Sequence, residues 1–247
     1  MERLTVARPP SAAGMEWLKQ GWRLFKLWPI PWMGMTAAAF LAIFGISMLP
    51  MVGGAVVELL SPLLVAGYMF AARAADQGEP VTFLYLAEGA KRHGRPLLLL
   101  GLVYLVGGLL IGQAMQMLGG SSLQEMVRMA QDPASLSPEA ARSVLDQSLP
   151  AVLVGLALYT PLLMATWFAP ALVVFKDFSP VNALWWSLWT CFANWRPVLL
   201  YSLAMSVIAA LAILIPFGLG LLVFLPWAMT STYFAFTQQF VAGRSEQ

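Results

Sequence analysis

Residues 55–75 read AVVELLSPLLVAGYMFAARAA, and DQGEP follows at 76–80. The first stretch is apolar for about the twenty residues that a helix needs to cross a hydrocarbon core roughly 30 Å thick. Its two charges are Glu58 near the start and Arg73 near the end, and Lys91, Arg92 and Arg95 follow beyond the polar turn. A span that leaves the bilayer toward Lys and Arg points that end to the cytoplasm, because loops rich in these residues stay inside.

Outward from this span, five further stretches have the same character: 30–49, 96–118, 149–175, 197–215 and 218–240. The chain has 247 residues, 60% hydrophobic and only 11% charged, whereas soluble domains carry about 25% charged residues. Mean hydropathy is +0.74. A single membrane domain, 1–247, is expected, with little left over for a soluble catalytic module.

Charge distribution fixes the direction. Of the 14 Lys and Arg residues, twelve fall on one side of this six-span pattern. They are Arg3, Arg8, Lys19, Arg23 and Lys26 before the first span, Arg73, Lys91, Arg92 and Arg95 between the second and third, Lys176 and Arg196 between the fourth and fifth, and Arg244 after the last. The other side has Arg128 and Arg142 beside Glu125, Asp132, Glu139 and Asp146. The expectation is a bacterial inner-membrane protein with both ends in the cytoplasm. No secretory signal pattern opens the chain, so the first span is expected to act as its own insertion signal. The single cysteine, Cys191, excludes an internal disulfide.

A short amphipathic segment precedes each odd-numbered span. In the first, Gly14, Trp17, Leu18, Gly21, Leu24, Phe25 and Trp28 share a face, with Lys19, Arg23 and Lys26 on another and Pro29 after. In the second, Phe83, Leu86, Ala87 and Ala90 make the stripe, Glu88, Lys91, Arg92 and Arg95 the polar side, and Pro96 follows. In the third, Val181, Leu184, Trp185, Leu188, Phe192 and Trp195 repeat at helical spacing after Ser179-Pro180, a helix-start pair. Such segments are expected to lie in the interface, apolar face toward lipid and basic face toward anionic headgroups. Eight of the ten Trp residues lie in or beside the first and third, where an indole finds both apolar and polar surroundings.

The even spans also resemble one another through Ser61-Pro62, Thr160-Pro161 and Leu225-Pro226, each followed by small and aromatic residues. The expected fold class is therefore all-α integral membrane: six transmembrane helices as three hairpins, each introduced by a cytoplasmic amphipathic interfacial helix. This is a parallel threefold repeat, with units at about 12–76, 80–177 and 179–242. The second unit carries an external insertion, 119–148, whose Leu123/Met126/Val127 spacing and Ser137-Pro138-Glu139 start predict two short helices on the outer face.

This organisation resembles a family of six-span proteobacterial inner-membrane proteins. The resemblance rests on Gly21-Trp22-Arg23-Leu24-Phe25, on the stretch from Pro62 to Pro80 with Gly67 and Asp76-Gln77-Gly78-Glu79-Pro80, and on the third amphipathic helix with its Arg196-Pro197 exit. More distantly the chain looks like the membrane domain fused to some glycerophosphodiester phosphodiesterases. The resemblance implies a fold and a location. It does not imply phosphodiester chemistry, because this length has no counterpart of their catalytic barrel.

Candidate chemistry is sparse. His93 is the only histidine, which excludes histidine-pair metal sites and histidine triads built from two or more such residues. No cofactor and no metal are expected, and nucleic acid is not an expected partner. Candidate lipid-binding residues are Lys19, Arg23, Lys26, Lys91, Arg92 and Arg95, because each cation near an anionic surface gains on the order of 1 kcal/mol. Candidate cavity residues are Glu58, Ser61, Thr160, Thr166, Thr230 and Ser231. Glu58 is the one acid inside a span, either tolerated near the outer turn or handling a proton or cation. The hydroxyls either satisfy carbonyls freed by proline or line a polar cavity. Gly108 and Gly112 form a small-residue packing face, and the 14 Met residues read as apolar filler. The leading functional expectation is a non-enzymatic protein that organises lipids or a membrane-protein partner at the cytoplasmic leaflet. The alternative is a small-molecule or lipid transporter with a cavity between the hairpins.

Overall fold

The computed structural model describes residues 4–132 and 137–242. Arg3 and Arg244, counted above, lie outside them. Among the described residues six helical stretches are long and apolar enough to cross a membrane: Pro29–Ser47, Gly53–Asp76, Tyr85–Gln131, Glu139–Lys176, Trp195–Ile213 and Pro216–Gln239. Each contains or overlaps one of the expected spans.

The order along the chain is β1 (Leu4–Val6), α1 (Ala13–Leu27), α2 (Pro29–Ser47), α3 (Gly53–Asp76), α4 (Tyr85–Gln131), α5 (Pro138–Trp167), α6 (Ala169–Lys176), α7 (Pro180–Ala193), α8 (Trp195–Ile213), α9 (Leu219–Gln239) and β2 (Phe240–Ala242). A single 3-10 turn, Pro216–Gly218, joins α8 to α9. The chain forms two compact units, Met1–Gly101 with Ala165–Gln247, and Leu102–Met164. The middle one of the three expected repeats is therefore shared between units.

In the first unit α9 is the central helix, packed against α1, α2, α3 and α8. Between membrane helices, close packing depends on small side chains and on hydrogen bonds between helices. The α9 sequence supplies both: Thr230, Ser231, Thr232 and Ala235 are buried. A Cβ on Gly21 of α1 would stand 2.5 Å from the Ser231 amide nitrogen, so glycine is required for that approach. Likewise a Cβ on Gly67 of α3 would stand 2.7 Å from the Leu86 Cα of α4. On α2, Trp32, Met35, Thr36 and Ala39 form the buried face. The Tyr68 hydroxyl of α3 donates to Thr36 Oγ1 at 2.9 Å across that contact.

The second unit is the later part of α4 and most of α5. The expected pair of separate short helices is absent from the described residues here, because the spans continue as helix. Gly120 has a positive φ, 48°, inside α4. The Ser137 hydroxyl accepts from the Ala140 amide at 3.3 Å and starts α5, as its sequence predicts. Val144, Ser148 and Ala151 are buried on α5.

Three further features differ from the sequence expectation. The second amphipathic segment is not a separate helix, because α4 runs through Pro96 for 47 residues. Pro96 leaves the Arg92 carbonyl without its helical amide. Arg92 is exposed, so water can take that amide's place. Second, the stripe of α1 is buried in protein: Gly14, Trp17, Leu18, Gly21, Leu24 and Phe25 pack on α8 and α9. Third, a short strand pair accompanies the helices of an otherwise all-helical fold. β1 and β2 pair antiparallel, Leu4 opposite Ala242, Thr5 opposite Val241 and Val6 opposite Phe240. This pairing brings Leu4–Val6 and Phe240–Ala242 together in the first unit, at what is called here its terminal end.

Proline-bearing spans remain continuous helices at Pro62, Pro161 and Pro226. Pro62 frees the Glu58 carbonyl, and the Ser61 hydroxyl donates to that same carbonyl at 2.9 Å. A local side chain thus replaces the missing amide.

Candidate functional site

The terminal end of the first unit is built by polar groups at helix ends. Asn194, between α7 and α8, is buried. Its Nδ2 donates to the Ala7 carbonyl and to Gln239 Oε1, both at 3.0 Å. The Trp17 indole donates to Gln238 Oε1 at 2.9 Å, and Gln238 Nε2 donates to Gln20 Oε1 at 2.9 Å. The Trp227 indole donates to the Leu18 carbonyl at 2.9 Å. The bonds made by Trp227 and Gln238 hold α1 along α9, with Lys19, Arg23 and Lys26 exposed.

The six candidate lipid-binding residues fall into three places. Lys19 lines a groove with Met15, Trp22, Val207, Ile208 and Trp227, an apolar wall with a single cation. Arg23 and Lys26 line a cleft of about 490 Å³ with Gln20, Leu24, Leu27, Asp76 and Phe234. Lys91 and Arg92 share Glu88, at 3.6 and 2.8 Å. Arg92 also lies 5.5 Å from the centre of the Phe70 ring, and Arg95 is exposed. His93 Nε2 lies 3.2 Å from Asp177 Oδ1, which ties the start of α4 to the end of α6.

The candidate cavity residues are not gathered in one place. Thr230 and Ser231 lie at the α1–α9 contact. Thr230 Oγ1 is 3.0 Å from the Gly21 carbonyl and 2.9 Å from that of Pro226. Ser231 Oγ is 2.9 Å from the Tyr201 hydroxyl. Glu58 and Ser61 are half-buried on α3. Thr166 is buried in the first unit, and Thr160 belongs to the second, where its hydroxyl donates to the Leu156 carbonyl at 2.7 Å.

The arrangement of α7 reverses the usual pattern of a soluble helix. Its Ser179 hydroxyl accepts from the Asn182 amide at 3.4 Å and caps the start. Its buried face is Ala183, Ser187, Thr190 and Cys191. Trp185, Trp189 and Phe192 stand outward, with Trp185 63% exposed. Burial pushes the Cys191 thiol up to about 12. Near the exit of α7, Arg196 stacks 5.4 Å over the Trp195 ring. Arg196 also shares a second cleft, about 330 Å³, with Arg8.

Sequence reading missed Asn194, Gln238, Gln239 and Arg8 as a group. The signal of the three amides is their place at the ends of apolar helices; Gln239 Nε2 donates to the Ala235 carbonyl of its own helix at 3.0 Å, while its Oε1 accepts from Asn194. Asp76 was read as a turn residue. The structure brings it against α9, where the Tyr233 hydroxyl donates to its Oδ2 at 3.1 Å.

Six apolar helices and an outward aromatic face define a multi-pass α-helical membrane protein. No family model matches the chain, and no solved structure matches it. A probable inner membrane protein of Burkholderia thailandensis is 32% identical over 214 residues, which is 85% of this chain and 77% of that protein. The chain belongs to the family of that inner-membrane protein.

Proposed function

We propose that the protein is a non-enzymatic membrane protein that organises anionic lipids, or a membrane-protein partner, at the cytoplasmic leaflet. The outward face of α7 carries this reading. Trp185, Trp189 and Phe192 are turned away from the protein while small and polar residues fill the contact. Large aromatic rings gain at the headgroup boundary, where one edge is apolar and the N–H can be hydrated. The Lys/Arg split supports placing the terminal end in the cytoplasm. On this reading α1 is a protein-packed helix that presents Lys19, Arg23 and Lys26 outward, while α7 rests on lipid. The three basic segments still share one side, but they are not three copies of one interfacial helix.

The test uses full-length protein in nanodiscs of mixed phosphatidylglycerol and phosphatidylcholine. Neutralising Lys19, Arg23, Lys26, Lys91, Arg92 and Arg95 together should lower the preference for the anionic lipid about tenfold or more, since each cation contributes on the order of 1 kcal/mol before screening. An unchanged preference would remove the basis of the reading. If Glu58→Gln abolished a measurable solute flux, transport would replace it.

A further inference from the structure

Two sequence motifs far apart in the chain meet in the 490 Å³ cleft at the terminal end. Gly21-Trp22-Arg23-Leu24-Phe25 supplies Arg23 and Leu24, and the last residue of α3 supplies Asp76. Lys26 and Phe234 complete the walls. The cleft therefore has cations on α1 and a carboxylate on α3. Among the described residues no ion pair joins Arg23 or Lys26 to Asp76. The neighbouring cation, Arg73, is engaged elsewhere, 5.3 Å from the centre of the Phe175 ring. Tyr233 holds one oxygen of Asp76 and leaves the other open.

Opposite charges on two walls of a headgroup-sized space, both unneutralised by each other, match a ligand that carries both charges. We propose that this cleft binds an aminoethyl phosphate, with the phosphate against Arg23 and Lys26 and the ammonium against Asp76. Guanidinium and ammonium groups suit a phosphate oxygen pair. A primary ammonium can donate an N–H to the open carboxylate oxygen, and a quaternary one has no N–H to donate. Leu24, Leu27 and Phe234 give the ligand's carbon atoms an apolar wall. Asp76 ends α3, so the cleft lies where a span leaves the bilayer, at the depth of phospholipid headgroups. The inference rests on the lipid reading and adds to the anionic lipids a zwitterionic one, phosphatidylethanolamine. The same chemistry also exists as soluble phosphoethanolamine.

Native mass spectrometry of the full-length protein, offered equal amounts of phosphatidylethanolamine, phosphatidylcholine and phosphatidylglycerol with identical chains, separates the cases. Wild type should retain the ethanolamine lipid over the choline lipid about three- to fivefold, as a partly exposed ion pair allows. Successive N-methylation of the headgroup should erode that ratio stepwise, a test that needs no variant. Asp76→Asn should bring the ratio to about one, and leave the phosphatidylglycerol-to-phosphatidylcholine ratio unchanged. Asp76→Glu, which keeps the charge, should restore it. Competition by soluble phosphoethanolamine without any lipid preference would keep the chemistry and assign the ligand to the soluble pool. Equal retention of ethanolamine and choline lipids with no such competition would overturn the proposal, as would a folded Asp76→Asn protein that keeps the ratio. Failure of the general lipid reading shows instead in the phosphatidylglycerol ratio.

Discussion

Gly21→Ala tests whether α1 is held by protein or by lipid. The new Cβ would lie 2.5 Å from the Ser231 nitrogen and 2.6 Å from its Cα. Both atoms are backbone in the middle of α9, so no rotamer change removes the clash. Restoring a contact of about 3.5 Å requires α1 to retreat by about 1 Å. The Trp227 indole then loses its bond to the Leu18 carbonyl, now 2.9 Å, at about 1 kcal/mol. Thr230 gives up the Gly21 carbonyl but keeps that of Pro226 at 2.9 Å, so its cost is small. Overpacking adds about 1–3 kcal/mol, and alanine's helix preference returns up to about 1 kcal/mol. The net expectation is destabilisation by about 1–4 kcal/mol. Gly34→Ala on α2 is the control, since a Cβ there meets nothing within 4 Å, and it should be neutral or stabilising by up to about 1 kcal/mol. Unfolding in mixed micelles of dodecylmaltoside and dodecyl sulfate, followed by tryptophan fluorescence, reads both. Equal stability of the two variants would refute the packing of α1 on α9.

A reporter active only outside the cytoplasm should work when fused after residue 135, which lies outside the described residues, and fail after Asn182; activity at Asn182 would overturn the six-span orientation. Cys191 should react with maleimide about 10³-fold more slowly than a free thiol, since burial raises it to about 12 and each unit removes about nine-tenths of the thiolate. Mass spectrometry before and after denaturation checks this, and rapid labelling of intact protein would contradict the burial. Ser61→Ala should cost about 1–2 kcal/mol in the same micelle assay, because the Glu58 carbonyl beside Pro62 loses the donor at 2.9 Å. In a Pro62→Ala background, where the amide returns, that cost should largely disappear.

The spans were legible because an apolar run of sufficient length is a local property, and so was the outward stripe of α7, which Trp185 and Phe192 mark. The partner of an apolar stripe was not legible. Periodicity in α1 is the same whether lipid or protein covers Trp17 and Leu18. The distinguishing signal was Gly14 and Gly21, since a helix resting on lipid gains nothing from removing a side chain on its buried face. The strands Leu4–Val6 and Phe240–Ala242 stayed hidden because each is short and pairs only with the far end of the chain. Pro96 and the 119–148 segment misled for another reason. Proline and glycine mark helix ends only on average, and a helix tolerates them where water or a neighbour meets the freed groups. Of the candidate sites, the basic residues were found as a set but not as three separate places. Asp76 needed Tyr233, 157 positions later in the chain, before it could join them.

The depth of α7 is the most direct measurement. A spin label at position 185, introduced as Trp185→Cys in a Cys191→Ala background and reconstituted in anionic vesicles, reports collision with oxygen and with a water-soluble nickel complex. A label replacing outward Trp185 should meet oxygen strongly and nickel weakly, at the boundary between headgroups and chains, whereas one replacing buried Ala183 should meet neither. Nickel accessibility at position 185 equal to that of an exposed loop such as Gly78 would show that the aromatic face does not rest in lipid, and the proposed work on the cytoplasmic leaflet would lose its structural basis.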